Sequence, residues 1–231
     1  MHVGSRAKFK KTYSKMSYNN FREACEYVEK PAHKKIYKRI YEPLIKNEGW
    51  GYEEVHDKER QTKGIDVILT TPWGEVYIDE KAKEKTKDME KAKADNEEDT
   101  FGLELTINPE NYDGKIGPTK TGWFLKEAVT THYLMYYKES HGDGIYKKTD
   151  EYVMLVNAKK LKEKIFSIPG LDRDSLLNPS QDGILDIIIG SKIKDGRIFY
   201  DRDRREHGRF LVLPLSFYRS IEGTCVYKIK D

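Results

Sequence analysis

The sequence predicts a mixed α/β fold, a mixed β-sheet flanked by helices, and three observations carry that prediction. Apolar residues recur at helical spacing up to about residue 47. They alternate with polar residues in several later segments, and a lysine-rich helix signal follows one of those strands. Helices packed on a sheet bury both kinds of apolar face at once. At 231 residues the chain is long enough for one large domain with its own core. Charged residues make up 35% of it and hydrophobic residues 37%, yet 16 Tyr, 8 Phe and 3 Trp supply large apolar bodies for burial beneath a polar surface.

Residues 1–16 read as a basic N-terminal arm and 17–231 as a single domain. Residues 1–22 hold Arg6, Lys8, Lys10, Lys11, Lys15 and Arg22 without one acid, interleaved with Phe9, Tyr13 and Tyr18. That composition suits a phosphate backbone, and equally a solvated terminus. Phe21, Ala24, Cys25 and Val28 predict a helix over 17–30 that Pro31 interrupts. Ile36, Ile40 and Leu44 predict a second helix over 32–47, with Pro43 marking a kink or a break.

A hairpin is predicted over 63–83. Ile65, Val67 and Leu69 alternate along its first strand and "TTPWGE" makes the turn. Val76, Ile78 and Glu80 then lie on one face of the second strand, with Tyr77, Asp79 and Lys81 on the other. Residues 82–99, with 5 Lys against 7 Asp or Glu and almost no large apolar side chain, read as a solvated helix or loop. Phe101, Leu103, Leu105 and Ile107 alternate as a strand, and "THYLMYYK" and "EYVMLVN" read as two more joined by a Gly-rich connection. Asn157 caps a helix in which Leu161 and Ile165 stand four apart. "GILDIIIGSKI" and "GRFLVLPLSF" are strand-like runs. Residues 192–209 carry seven Lys or Arg against four acids, which suits either a nucleic-acid contact or an ion-paired surface loop.

Several function classes lack their defining parts. No apolar run reaches the roughly 18 residues of a membrane helix, and the N-terminus lacks a secretion signal's apolar stretch, so a cytoplasmic protein with no membrane contact is expected. Cys25 and Cys225 show no CxxC spacing and read as buried small hydrophobes. His33, His56, His132, His141 and His207 form no HxH or HxxxH pair. No GxxxxGK[ST], GxGxxG or GxSxG motif occurs.

What remains is a set of acids inside apolar strands, where they are disfavoured and costly unless something pairs with the charge. Asp66, Asp79 and Lys81 form D-x12-D-x-K. Asp113-Gly114-Lys115 repeats the short half of that pattern, but in a turn-rich segment without strand character. Opposed side chains on adjacent antiparallel strands lie about 5 Å apart, close enough for two carboxylates to share one hard cation. Asp66 reads alternatively as a strand-edge acid held by a backbone hydrogen bond. Lys81 reads alternatively as an ion-pair partner of Asp79 or Asp66, and Glu104 as a surface glutamate rather than a further member of the cluster.

The segments "GID" at 64–66 and "YIDEK" at 77–81, a preceding helix and the later "TFGLEL" strand resemble the PD-(D/E)xK, or restriction-endonuclease-like, nuclease superfamily. The resemblance covers about residues 32–107. It implies a restriction-endonuclease-like fold and Mg²⁺-dependent hydrolysis of phosphodiester bonds in double-stranded DNA, with Mn²⁺ as a substitute. Asp66 and Asp79 would be the metal ligands, Lys81 the catalytic lysine and Glu42 the acid on the preceding helix. Within the superfamily a type II restriction endonuclease acting as a homodimer is expected, with Lys8, Lys10, Lys11, Arg202, Arg204 and Arg205 as DNA contacts. The alternatives are a phage or repair nuclease specific for DNA structure, and a non-catalytic DNA-binding module that retains the fold.

Overall fold

Pro31 and Pro43 punctuate the first helical stretch without ending it. The computed structural model describes residues 29–82, 100–108, 118–141, 148–178, 182–201 and 208–229. Pro31 falls in the first turn of α1 (Lys30–Ile36), where its missing N–H costs nothing. A π-type turn, Tyr37–Tyr41, then leads into α2 (Glu42–Glu48), and the Glu42 N–H bonds the Tyr37 carbonyl five residues back. The wide turn accommodates Pro43, which has no N–H to give and whose ring would crowd a regular helix. Gly49, in the left-handed conformation at φ 67°, closes α2 with its N–H on the Leu44 carbonyl.

The chain next forms β1 (Gly51–Glu54), a one-turn α3 (Lys58–Thr62), β2 (Val67–Thr71) and β3 (Gly74–Ala82). Neither β1 nor α3 carries a periodic apolar pattern long enough to predict it from sequence. Val67 pairs with Ile78 and Leu69 with Val76, so the hairpin turns on Pro72 and Trp73. Alternation does not extend back through Asp66. Ile65 packs with Val55 and Ile68, on the side away from Val67 and Leu69, because the backbone turns at Asp66 before β2 begins.

One sheet runs β1-β2-β3-β6-β7-β11, with β6 (His132–His141), β7 (Lys148–Asn157) and β11 (Cys225–Ile229). The β3–β6 pair is parallel and every other pair antiparallel, so the sheet is mixed. A second, wholly antiparallel sheet runs β5-β4-β10-β9-β8. It comprises β4 (Thr100–Ile107), β5 (Lys120–Thr121), β8 (Gly183–Ile189), β9 (Lys192–Asp201) and β10 (Gly208–Pro214). The mixed α/β class therefore stands, but the single sheet expected from sequence is replaced by two. The "TFGLEL" strand leaves the hairpin's sheet and joins the second, because alternation specifies which side chains are buried and not which sheet buries them.

Two cores result. On one face of the mixed sheet, Ala32, Ile36 and Tyr41 from the helical stretch pack on Val67, Leu69, Ile78, Leu134, Tyr136 and Val153. On the other, Tyr133, Met135, Met154 and Val156 meet Leu103, Leu105, Leu211 and Leu213 of the second sheet. This larger core is closed by α4 (Ala158–Phe166), α5 (Arg173–Leu177) and α6 (Leu215–Arg219). The Asn157 side chain caps α4, accepting from the Lys160 N–H at 3.0 Å, and buries Leu161 and Ile165.

Arg209, counted by sequence among the basic residues of 192–209, is buried. It bonds the Asp182 carboxylate and the carbonyls of Leu176 and Asn178, and so ties β10 to the end of α5. Cys225 is exposed rather than a buried hydrophobe, since β11 is an edge strand with most of its residues in solvent. Residues 17–28 of the helix predicted over 17–30, Cys25 among them, residues 83–99 of the predicted solvated segment, and Lys8, Lys10, Lys11, Arg202, Arg204 and Arg205 lie outside the described residues. Among the described residues no helix is long and apolar enough to cross a membrane.

The two sheets predict their own test by substitution. Leu103→Ala, at a fully buried site between them, should cost about 2–5 kcal/mol in urea unfolding. Ile188→Lys on β8, at a residue 71% exposed, should change the midpoint by no more than about 0.5 kcal/mol.

Candidate active site

Alternation along β3 sends Asp79 and Lys81 to the face covered by the second sheet and Glu80 to the face covered by the helices. Asp79 stands beside Tyr133, and Lys81 beside Met135, in the parallel register with β6. Both Tyr133 and Met135 belong to the core between the sheets, which explains why Asp79 is only 4% exposed. The Lys81 side chain, 22% exposed, reaches back with Nζ 2.5 Å from Asp79 Oδ1. Its ammonium also lies 5.1 Å from the centre of the Trp123 ring, a cation–π contact.

Asp66 arrives from the opposite strand. Its N–H bonds the Ile78 carbonyl at 2.8 Å, and its Oδ2 accepts the Glu80 N–H at 2.8 Å. The carboxylate thus completes the ladder where β2 has ended, which accounts for an acid tolerated against an apolar strand. Gly64 makes the approach possible. It has φ 76°, and a Cβ there would lie 2.6 Å from Thr130 Oγ1 and 3.6 Å from Asp79 Oδ2. Thr130 in turn donates to the Gly64 carbonyl, and Val129 N–H to the Lys63 carbonyl, so the segment before β6 is strapped over Asp79.

The electrostatics follow from this burial. Loss of water pushes the Asp79 carboxyl up to about 7; Lys81 pulls it down, but the charge of Asp66 and a hydrogen bond between the two carboxyls push it up again. Lys81 is desolvated too, yet the two carboxylates beside it outweigh that penalty and hold it above its ordinary value, hence protonated. As it stands, Lys81 is a fixed positive charge.

Glu42 is not brought into the cluster. It bonds Lys46 one turn along at 2.7 Å on the outer surface of α2. The helix reaches β3 through Glu80 instead: Tyr41 donates to Glu80 Oε1 at 2.6 Å and His33 Nδ1 lies 2.7 Å from Oε2. The His33 pKa is raised, chiefly by that bond to Glu80, with burial opposing and Glu54 assisting. Gln61 spends its amide on the Val55 carbonyl. Glu104 lies in the second sheet, where its Oε1 accepts from the Trp123 N–H at 3.3 Å.

Sequence reasoning missed Trp123 and Tyr133, the two aromatics against the cluster, whose rings are 5.1 Å apart. "WFL" and "THYLMYYK" showed strand character, but nothing in them indicates which strand runs parallel to β3. The cluster offers oxygen donors suited to a hard cation: two adjoining carboxyl groups, with one oxygen of each engaged by Glu80 N–H or Lys81. Among the described residues no third His, Cys, Asp or Glu joins a metal-holding group, so a cation here would keep most positions for water and substrate oxygens.

The fold and site together define a mixed α/β protein with an acid–acid–lysine cluster at the open end of a hairpin, in which Asp79 is buried and Asp66 and Lys81 are half-buried. No family model, curated protein or solved structure matches the chain.

Asp79 makes stability depend on pH in a defined direction. Its folded pKa of about 7 exceeds the ordinary 3.8, so the stability it contributes is full below about pH 4 and lost as pH rises through 7. Melting temperatures of the metal-free protein, read against Asp79→Asn, should show that loss in the wild type only. On the other face, Tyr41→Phe removes a donor to a part-buried carboxylate and should cost about 1.5–3 kcal/mol in chemical unfolding.

Proposed function

We propose that this chain is a Mg²⁺-dependent endonuclease with a restriction-endonuclease-like core, hydrolysing phosphodiester bonds in DNA. The observation that carries the reading is the meeting of Asp66, Asp79 and Lys81 at one point, with Asp79 buried at a proton affinity near neutrality. Surface ion pairs do not require such burial. A carboxyl whose proton affinity lies near neutrality can exchange its proton for a cation at working pH. The helical stretch preceding an acid-bearing hairpin also agrees with the resemblance in "GID" and "YIDEK".

The residues divide the work by charge. Asp66 and Asp79 would hold the cation, which when bound polarises the phosphodiester and lowers the pKa of a water. Lys81, protonated, attracts a phosphate oxygen and offsets the negative charge that builds as the phosphorus is attacked. Trp123 limits where the ammonium can go, and Gly64, without a Cβ, lets the segment bearing Thr130 pack closely beside Asp79. A type II restriction endonuclease is the particular form we favour, with Lys8, Lys10, Lys11, Arg202, Arg204 and Arg205 as DNA contacts and a homodimer to cut both strands. A second reading, a DNA-binding module without catalysis, is favoured by one observation: Lys81 already neutralises Asp79, so the pair is satisfied without a metal.

Incubation with supercoiled plasmid and Mg²⁺ separates the two. Discrete fragments, lost in Lys81→Ala and in EDTA, are the expected result, and intact DNA of every form would leave the module. Calorimetric titration with Mg²⁺ adds a pH signature. Affinity should fall by up to about tenfold for each pH unit below 7 as Asp79 retains its proton, and should be abolished in Asp66→Ala.

A further inference from the structure

One buried polar group beside the cluster has no use in anything described so far. The Tyr133 hydroxyl, on a residue 1% exposed, has no hydrogen-bond partner among the described residues. The equally buried Tyr41 and Tyr218 both donate, to Glu80 and to the Phe101 carbonyl. Buried hydroxyls are normally paired, and an orphan in a polar site calls for a ligand.

Its surroundings identify that ligand. Tyr133 is the register neighbour of Asp79 and shares its face of the sheet, and its ring abuts the Trp123 ring that carries the Lys81 ammonium. Asp79 and Lys81 already bond each other, which leaves the phenol unclaimed. A phenol is protonated at neutral pH, so this one is a donor without an acceptor beside Asp79. A donor next to a fixed ammonium and two carboxylates suited to a cation is matched by one chemistry: an anionic oxygen that both Lys81 and a cation also attract. Tyr52, a second orphaned hydroxyl, packs against Tyr37 and Tyr41 on the helix-covered face and takes no part.

We infer that the Tyr133 hydroxyl is a substrate-binding donor of this site, bonding a non-bridging oxygen of the scissile phosphodiester beside Lys81. The inference rests on the nuclease reading above. No bond is made or broken by Tyr133; it donates a hydrogen bond that strengthens as charge gathers on that oxygen.

The test is Tyr133→Phe in the full chain, with plasmid and Mg²⁺, beside wild type. A donor realised chiefly in the transition state predicts a fall in kcat on the order of 100-fold with KM changed by no more than about threefold. The melting temperature should hold or rise, because the variant removes an unsatisfied buried hydroxyl without changing ring volume. Near-wild-type kcat in the variant overturns the inference while leaving the nuclease reading intact. Lost activity with a lowered melting temperature also overturns it, since the hydroxyl would then serve the fold. A wild type that cleaves no DNA overturns the nuclease reading and this inference together.

Discussion

Everything around the candidate site depends on removing Asp79 from water. A lone ionised carboxylate at 4% exposure would cost several kcal/mol, and proteins avoid that by pairing the charge or protonating the group. This chain does both in part. Lys81 supplies the opposite charge, and burial, with the charge of Asp66 beside it, raises the proton affinity of Asp79. The second sheet is what creates the problem, since its Leu103 and Leu105 cover the face on which Asp79 stands. The architecture that buries the core therefore also brings the acid's proton affinity close to neutrality.

β3 links two environments that would otherwise be independent. Asp79 and Lys81 stand on the face toward the second sheet, and Ile78 and Glu80 on the face toward the helices, so Glu80 is held by Tyr41 and His33 while its own N–H holds Asp66. A shift of the helical stretch would thus be felt at Asp66 through a single peptide group. The orienting contacts of the site come from an acid that faces away from it.

Much of the hairpin was legible because period-two alternation is a local property. The strand assignments of Val67, Leu69, Val76 and Ile78, and the opposite faces of Asp79 and Glu80, follow from spacing alone. Pairing partners were not legible. β3 lies parallel to β6, more than fifty residues on, and "TFGLEL" crosses to another sheet, because strand order depends on packing that no local window contains. Glu42 shows the same limit in a helix. It was chosen by its place before the hairpin, whereas helical rotation directs it to Lys46 and turns Tyr41, its neighbour, inward. Among basic residues, Arg209 was indistinguishable in sequence from exposed neighbours such as Arg197, although it is buried.

The wide turn at Tyr37–Tyr41 does more than accommodate Pro43. His33 and Tyr41 are eight residues apart, and at 3.6 residues per turn an unbroken α-helix would rotate the second past the first by roughly 80°. A stretch wound more loosely takes up much of that overshoot, so that both side chains converge on the two oxygens of one carboxylate. The turn acts as a phase correction. It brings two donors, two turns apart, into line with one residue of a strand, and a helix of the same composition without it would offer Glu80 only one of them.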